Sequence, residues 1–338
     1  MSNESNVVAT RSVAVDLETR RTQPNHLRQR LRLASESLPQ LIISFACVAT
    51  ILTALEHGYE GPWYKLHTIM HEPNESPPAF GYRLLFPLVA RELQHVAPSL
   101  TDRNCFFAVQ TVIIAVTVYL SGKWASLFLP RFGKLFGYVS LTLMVTPTLT
   151  YYNFYDIAII GFWTSCLLLL YYNKWASYTA LFAIATLNHE NNLLLVPVAL
   201  LYAWRRMKFS RLALFAICQV GSYIVVRSVV ICQVSGAALF DNRLWENLLF
   251  WRTYPLRFLI LSGAILIPWW LLAFIGWRYA PSLLRCAATS LPSLFLVTTL
   301  FGKFSESRQF DAFIPTCIGF IACWFRHQSG SDDGLAVW

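Results

Sequence analysis

Residues 104–122 run for nineteen positions without a charged side chain, and 39–55 do the same for seventeen. Residues 212–232 and 256–276 each admit one arginine, Arg227 and Arg257. At 1.5 Å per residue, about 20 apolar residues cross the roughly 30 Å hydrocarbon core of a bilayer. No water is available there to satisfy free backbone groups, so a chain with runs of this length is confined to helices or closed barrels. Continuous apolar runs, rather than alternating ones, select helices. Composition agrees: 56% of the 338 residues are hydrophobic and 13% are charged, against about a quarter charged in soluble domains.

The net charge of +9 does not point to nucleic acid, because the cations are placed as topology signals. Arg11, Arg20, Arg21, Arg28, Arg30 and Arg32 fall in the polar first 38 residues, and the remainder lie mainly beside apolar runs. The positive-inside rule then puts 1–38 in the cytoplasm as a basic tail, 39–325 in the membrane, and 326–338 back in the cytoplasm. About nine transmembrane segments are expected in that domain. The first apolar run, with no small-residue cleavage site after it, is expected to stay as an anchor. Outside the two tails and the 176–204 segment, the carboxylates, including Glu56, Glu72, Glu92, Asp102, Asp156, Glu246 and Asp311, gather on the other, outer side or at its edge, and none falls in the cytoplasmic loops between spans. The eight cysteines fall in apolar runs with no CxxC pair, which predicts buried, reduced thiols.

Two segments depart from simple spans. Residues 176–204 lie between Lys174 and the Arg205, Arg206, Lys208 group, so both ends belong in the cytoplasm. Their middle is broken by Asn188-His189-Glu190-Asn191-Asn192, and the first arm, 176–187, is only about 18 Å long. A re-entrant hairpin with a polar tip is predicted, which needs protein or a wet cavity around the freed backbone. In 83–97, Leu85, Val89, Leu93 and Val96 recur at helical spacing with Arg91, Glu92 and His95 between them. That pattern predicts an amphipathic helix at the outer interface, inside a long outer loop, 56–103.

Several residues carry chemistry. Glu56 ends the first span at the water–lipid boundary, where partial desolvation suits a carboxylate to general-base work; a solvated span end is the plainer reading. Asp156 opens a span after the aromatic stretch 151–155, where it suits both helix capping and sugar contacts. His189 and Glu190 sit inside the membrane, where ionisable groups usually line a functional cavity or clamp neighbours. Arg227 is placed near the outer interface, where it is free to snorkel. Lys303, Glu306 and Arg308 crowd one short outer loop, two cations around a carboxylate, which fits a phosphate cradle and equally a solvated loop. His67 and His71 are spaced for a shared divalent metal, but Pro73 ends any helix there, and no cofactor is assigned.

Three short motifs carry a resemblance. Phe80-Gly81-Tyr82-Arg83-Leu84-Leu85-Phe86-Pro87 is similar to an F-x-Y-R pattern followed by apolar residues and proline. Leu187-Asn188-His189-Glu190-Asn191 is similar to an apolar-x-R-E-T pattern, with His189 and Asn191 replacing Arg and Thr, and Glu306-Ser307-Arg308-Gln309-Phe310 with Pro315 is similar to E-x-R-x-F…P. Together they resemble the GT-C class of multi-span membrane glycosyltransferases. The resemblance implies a polyprenyl-phosphate-linked sugar donor, inverting transfer at the outer face of a cytoplasmic (inner) membrane, and an acceptor it does not specify. It implies catalytic work for Glu56, Asp156 and Glu190, and substrate binding for Arg83, His189, Lys303, Glu306 and Arg308. Glu56 lacks the adjacent acidic partner common in that class. A polysaccharide polymerase or ligase remains open, as does a transport or scaffold protein.

Overall fold

The computed structural model describes residues 37–56, 70–72, 83–148, 156–233, 243–254, 267–301 and 307–330. Every regular element among them is helical. In chain order these are α1 (Ser37–Glu56), α2 (Leu85–Val96), α3 (Asp102–Ser126), α4 (Gly133–Val145) and α5 (Asp156–Tyr171). Next come α6 (Trp175–Asn188), α7 (Leu195–Trp204), α8 (Phe209–Gln233) and α9 (Leu244–Thr253). The last four are α10 (Ile267–Gly276), α11 (Ser282–Ala288), α12 (Ser290–Phe301) and α13 (Ile314–Gln328). Residues 46–338 form one compact unit; of 1–45, only the first turns of α1 are described.

Four helices are long and apolar enough to cross a membrane: Ser37–Glu56, Asp102–Ser126, Phe209–Cys232, and Ser282–Leu300, in which α11 and α12 run on through Thr289. The remaining expected spans are shorter. α4 has 13 residues, α5 has 16 and α13 has 15, and of 256–276 only the ten residues of α10 are described.

α5 is apolar on every face and buried on nearly all of them, Ile160, Trp163, Cys166, Leu167 and Leu170 being fully enclosed. A helix apolar all round belongs in a core, and α5 is surrounded by α3, α6, α13 and the 3₁₀ turn Ser307–Phe313. Between helices in hydrocarbon, association comes from close packing rather than escape from water, which favours small residues at crossings. Gly137 on α4 meets the backbone of Ser121 and Gly122 on α3, leaving no space for a Cβ. The buried Trp124 indole of α3 donates to the Pro315 carbonyl of α13 at 2.7 Å.

The 176–204 segment doubles back. Trp175 and Tyr202 are 27 positions apart, yet their ring centroids are 6.1 Å apart; one straight helix would separate them by roughly 40 Å. The turn is made by His189, whose backbone is extended, followed by a 3₁₀ segment, Glu190–Leu194. At this helix end the His189 amide reaches Ala185 O at 3.1 Å and the Asn192 amide reaches His189 O at 3.4 Å, and the tip side chains add further bonds. Asn192 Nδ2 donates to Ala185 O at 2.7 Å and to His189 O at 3.0 Å, and the Asn191 amide donates to His189 Nδ1 at 3.1 Å. The asparagines of the tip thus close the break that the sequence shows. Tyr178 of α6 donates to Leu195 O at 3.2 Å, tying the two arms together.

α2 forms over the expected residues, and its packing face is displaced by one position. Phe86, Pro87 and Ala90 are buried against the protein, while Val89 and Val96 of the expected stripe are exposed at 45% and 84%. An apolar stripe that faces outward suits a helix with lipid on that side. The cysteines also divide. Cys47, Cys105, Cys166, Cys317 and Cys323 are buried as expected, but Cys218 and Cys232 are exposed on the outward face of α8, and all eight are free thiols.

Candidate functional site

Three distant segments bring their charges to one point. Arg83 lies just ahead of α2, Asp156 opens α5, and Glu190 opens the 3₁₀ turn at the hairpin tip. Arg83 Nη1 is 3.8 Å from Asp156 Oδ1, and Nη2 is 3.7 Å from Glu190 Oε1. His189 Nδ1 stands 3.7 Å from Glu190 Oε2. These are ion-pair distances, longer than good hydrogen bonds, so the guanidinium spans the two carboxylates without a tight bidentate grip on either.

The local reasons are distinct for each member. Leu84, next to Arg83, packs with Val230 of α8 and with Leu187, and this apolar contact carries the arginine inward. Asp156 stands in the first turn of α5, where a carboxylate favours the positive end of the helix dipole. Glu190 is projected by the extended His189 backbone at the break. On α8, Tyr223 donates to the Glu190 carbonyl at 3.5 Å, and Arg227, one turn on along the same face, is within electrostatic range of Glu190. Tyr223, Arg227 and Val230 are spaced as one helix stripe, with Tyr223 at Glu190 and Val230 at Leu84.

The two carboxylates are not equivalent. The side chains of Arg83 and Asp156 are 8% and 5% exposed, whereas that of Glu190 is 42% exposed. Among the described residues, Glu190 Oε2 accepts no hydrogen bond. At these distances and an effective dielectric near 20, each Arg–carboxylate attraction is about 4 kcal/mol before desolvation. Asp156 is therefore an enclosed counter-charge, and Glu190 is a partly exposed carboxylate whose Oε2 is itself enclosed beside His189, with no hydrogen-bond donor among the described residues. That pair is suited to moving a proton at one atom while the other holds the field steady.

The other expected residues lie elsewhere or outside the described residues. Glu56 ends α1, 55% exposed, with its carboxylate 3.4 Å from Arg103 of α3. Lys303 and Glu306 lie outside the described residues; Arg308 belongs to the turn Ser307–Phe313, but its side chain is likewise outside them. Three positions on, Asp311, which the sequence places on the outer side or at its edge, is buried at 1% exposure beside Phe310, Ala312 and Phe313. Its apolar neighbours were the available signal. For Arg227 the sequence suggests snorkelling, and its charge lies within electrostatic range of Glu190 at the hairpin tip. His67 lies outside the described residues, and His71 Nε2 donates to Gln94 Oε1 at 3.1 Å, while Gln94 Nε2 donates to Asp102 Oδ1 at 2.7 Å. Among the described residues no three His, Cys, Asp or Glu side chains group as metal ligands.

Comparison with known proteins finds no matching family model, no matching curated protein and no matching solved structure.

Proposed function

We propose that this chain is a membrane glycosyltransferase of GT-C type that uses a polyprenyl-phosphate-linked sugar. In this reading it has about nine membrane segments, with both termini in the cytoplasm and the Arg83 cluster towards the outer face of the inner membrane. The observation that carries the reading is the gathering of Asp156 and Glu190 on Arg83, from segments 73 and 34 positions apart. The residues meeting there include the two motif positions Arg83 and Glu190. The acceptor hydroxyl gives its proton to Glu190 as its oxygen bonds the anomeric carbon. The bond from that carbon to the phosphate oxygen breaks, and polyprenyl phosphate leaves with the electron pair. Arg83 positions Glu190 and, with Arg227, offsets negative charge growing on the phosphate.

Position along the sequence favours Glu56 as the base, while geometry favours Glu190, since Glu56 is exposed beside Arg103. The test is release of polyprenyl phosphate by the protein in nanodiscs, with membrane extract supplying acceptors. Glu190→Gln is expected to lower turnover by about 100-fold or more, the usual range for a lost general base, and Glu56→Gln by less than threefold. Full activity in Glu190→Gln with none in Glu56→Gln moves the base to the end of α1. A transport or scaffold protein is the rival reading, favoured by the deep burial of Arg83 and Asp156. It requires that no variant of the cluster, and not the wild type, release polyprenyl phosphate.

A further inference from the structure

At the end of the bundle away from Glu190, cations gather without carboxylates among the described residues. The turn between α7 and α8 carries Arg205, Arg206 and Lys208, and Arg211 follows in the first turn of α8. Arg206 Nη2 donates to Ser282 Oγ at 3.2 Å, joining this turn to the start of α11. Arg205 and Arg206 both lie within electrostatic range of Cys286 on α11. Two membrane-length helices, Phe209–Cys232 and Ser282–Leu300, therefore begin at one level, which in the proposed membrane arrangement is a boundary. Trp204 and Phe209, 65% and 78% exposed, flank the arginines there, as aromatic side chains do where headgroups meet hydrocarbon.

The cluster is partly built. The Arg206 guanidinium lies 3.9 Å over the Tyr202 ring and donates to the Tyr202 carbonyl at 3.1 Å, so its direction is fixed. Arg205, Lys208 and Arg211 are exposed around it. No acidic residue stands in the first turn of α8 or of α11, and the sequence has none from 191 to 240. Lys208 and Arg211 thus face the positive end of the α8 dipole, an unfavourable placement. Like charges so close repel in a boundary region of reduced dielectric, and a phosphate relieves that repulsion.

We propose that the α7–α8 turn and the start of α11 bind the phosphate headgroup of an anionic phospholipid, distinct from the substrate of the Arg83 cluster. Arg206 is the oriented member, Arg205, Lys208 and Arg211 supply charge, and Trp204 and Phe209 take the acyl boundary. Native mass spectrometry of the full chain, titrated with phosphatidylglycerol or phosphatidylcholine, tests it. One phosphatidylglycerol is expected to bind in preference to phosphatidylcholine. The triple variant R205Q/K208Q/R211Q should weaken that binding by about 100-fold, each cation near an anionic lipid contributing comparably, while R205K/R211K should keep it. The charge-matched control K123Q/K134Q, away from this turn, should retain the preference. Equal binding of the two lipids by the wild type, or an unchanged preference in the triple variant, overturns the proposal. So does displacement of the lipid by inorganic phosphate alone, which would make the cluster a free-anion site.

Discussion

Arg83 is the residue on which the buried charges depend. Asp156 has almost no solvent, so removing the guanidinium leaves an enclosed carboxylate beside Ile157 and Ala158. Breaking such a pair costs about 3–5 kcal/mol. Arg83→Ala is therefore expected to destabilise the protein by that amount, measured by denaturant unfolding in detergent. Arg83→Ala combined with Asp156→Asn should cost less than the sum of the two, because the charge left behind is gone. Additive losses would mean that the two side chains do not interact in solution. Glu190, being half-accessible, should contribute less than Asp156 to this coupling. None of these partnerships was legible in the sequence, since nothing local to 83, 156 or 190 states that their segments meet. What was legible was the cost of placing Glu190 in a membrane segment, which demanded some partner.

At the scale of elements, the hairpin of α6 and α7 was the most readable feature, and for a physical reason. A helix of 14 residues is too short to cross, and a run of five polar residues has no place in hydrocarbon unless it serves a turn. The sequence also located α2 and the start of α5 at Asp156. The packing face of α2 was misjudged because periodicity marks an apolar stripe without saying whether protein or lipid covers it; Val89 and Val96 face outward and Phe86 and Ala90 inward. Asn192 is the element-scale weak point. Its side chain adds a second donor to Ala185 O and to His189 O, which also accept from the His189 and Asn192 backbone amides, and two such net hydrogen bonds contribute about 1–3 kcal/mol together. Asn192→Ala is expected to destabilise by that range and to loosen the tip, increasing amide exchange at 189–194. Asn192→Asp, which keeps the size but removes the donor, should behave like Asn192→Ala. If it is as stable as the wild type, the amide is not the cap.

For the whole molecule, the contacts impose a sidedness that hydropathy alone leaves open. Trp175 and Tyr202 meet, which puts both ends of the hairpin at one level, and the Arg206–Ser282 bond adds the start of α11 to it. The far ends of α8 and α12 meet the opposite level, where the Arg243 amide donates to Leu300 O at 2.8 Å and Arg243 pairs with Glu246. Among the described residues, Lys174, Arg205, Arg206, Lys208 and Arg211 stand at or beside the first level, and Glu246 stands at the second beside Arg243. Single cysteines at Lys174, Lys208 and Glu246, in a background cleared of native thiols, test this. A membrane-impermeant maleimide should label Lys174→Cys and Lys208→Cys from one side only, and Glu246→Cys from the other. A single straight crossing of 175–204 would separate Lys174 from Lys208, so labelling those two positions from opposite faces refutes the doubled-back hairpin. Labelling of Glu246→Cys together with Lys208→Cys would instead mean that α8 does not cross. Because Lys208 also belongs to the proposed lipid cluster, its labelling rate should fall when phosphatidylglycerol is added, and that of Lys174→Cys should not.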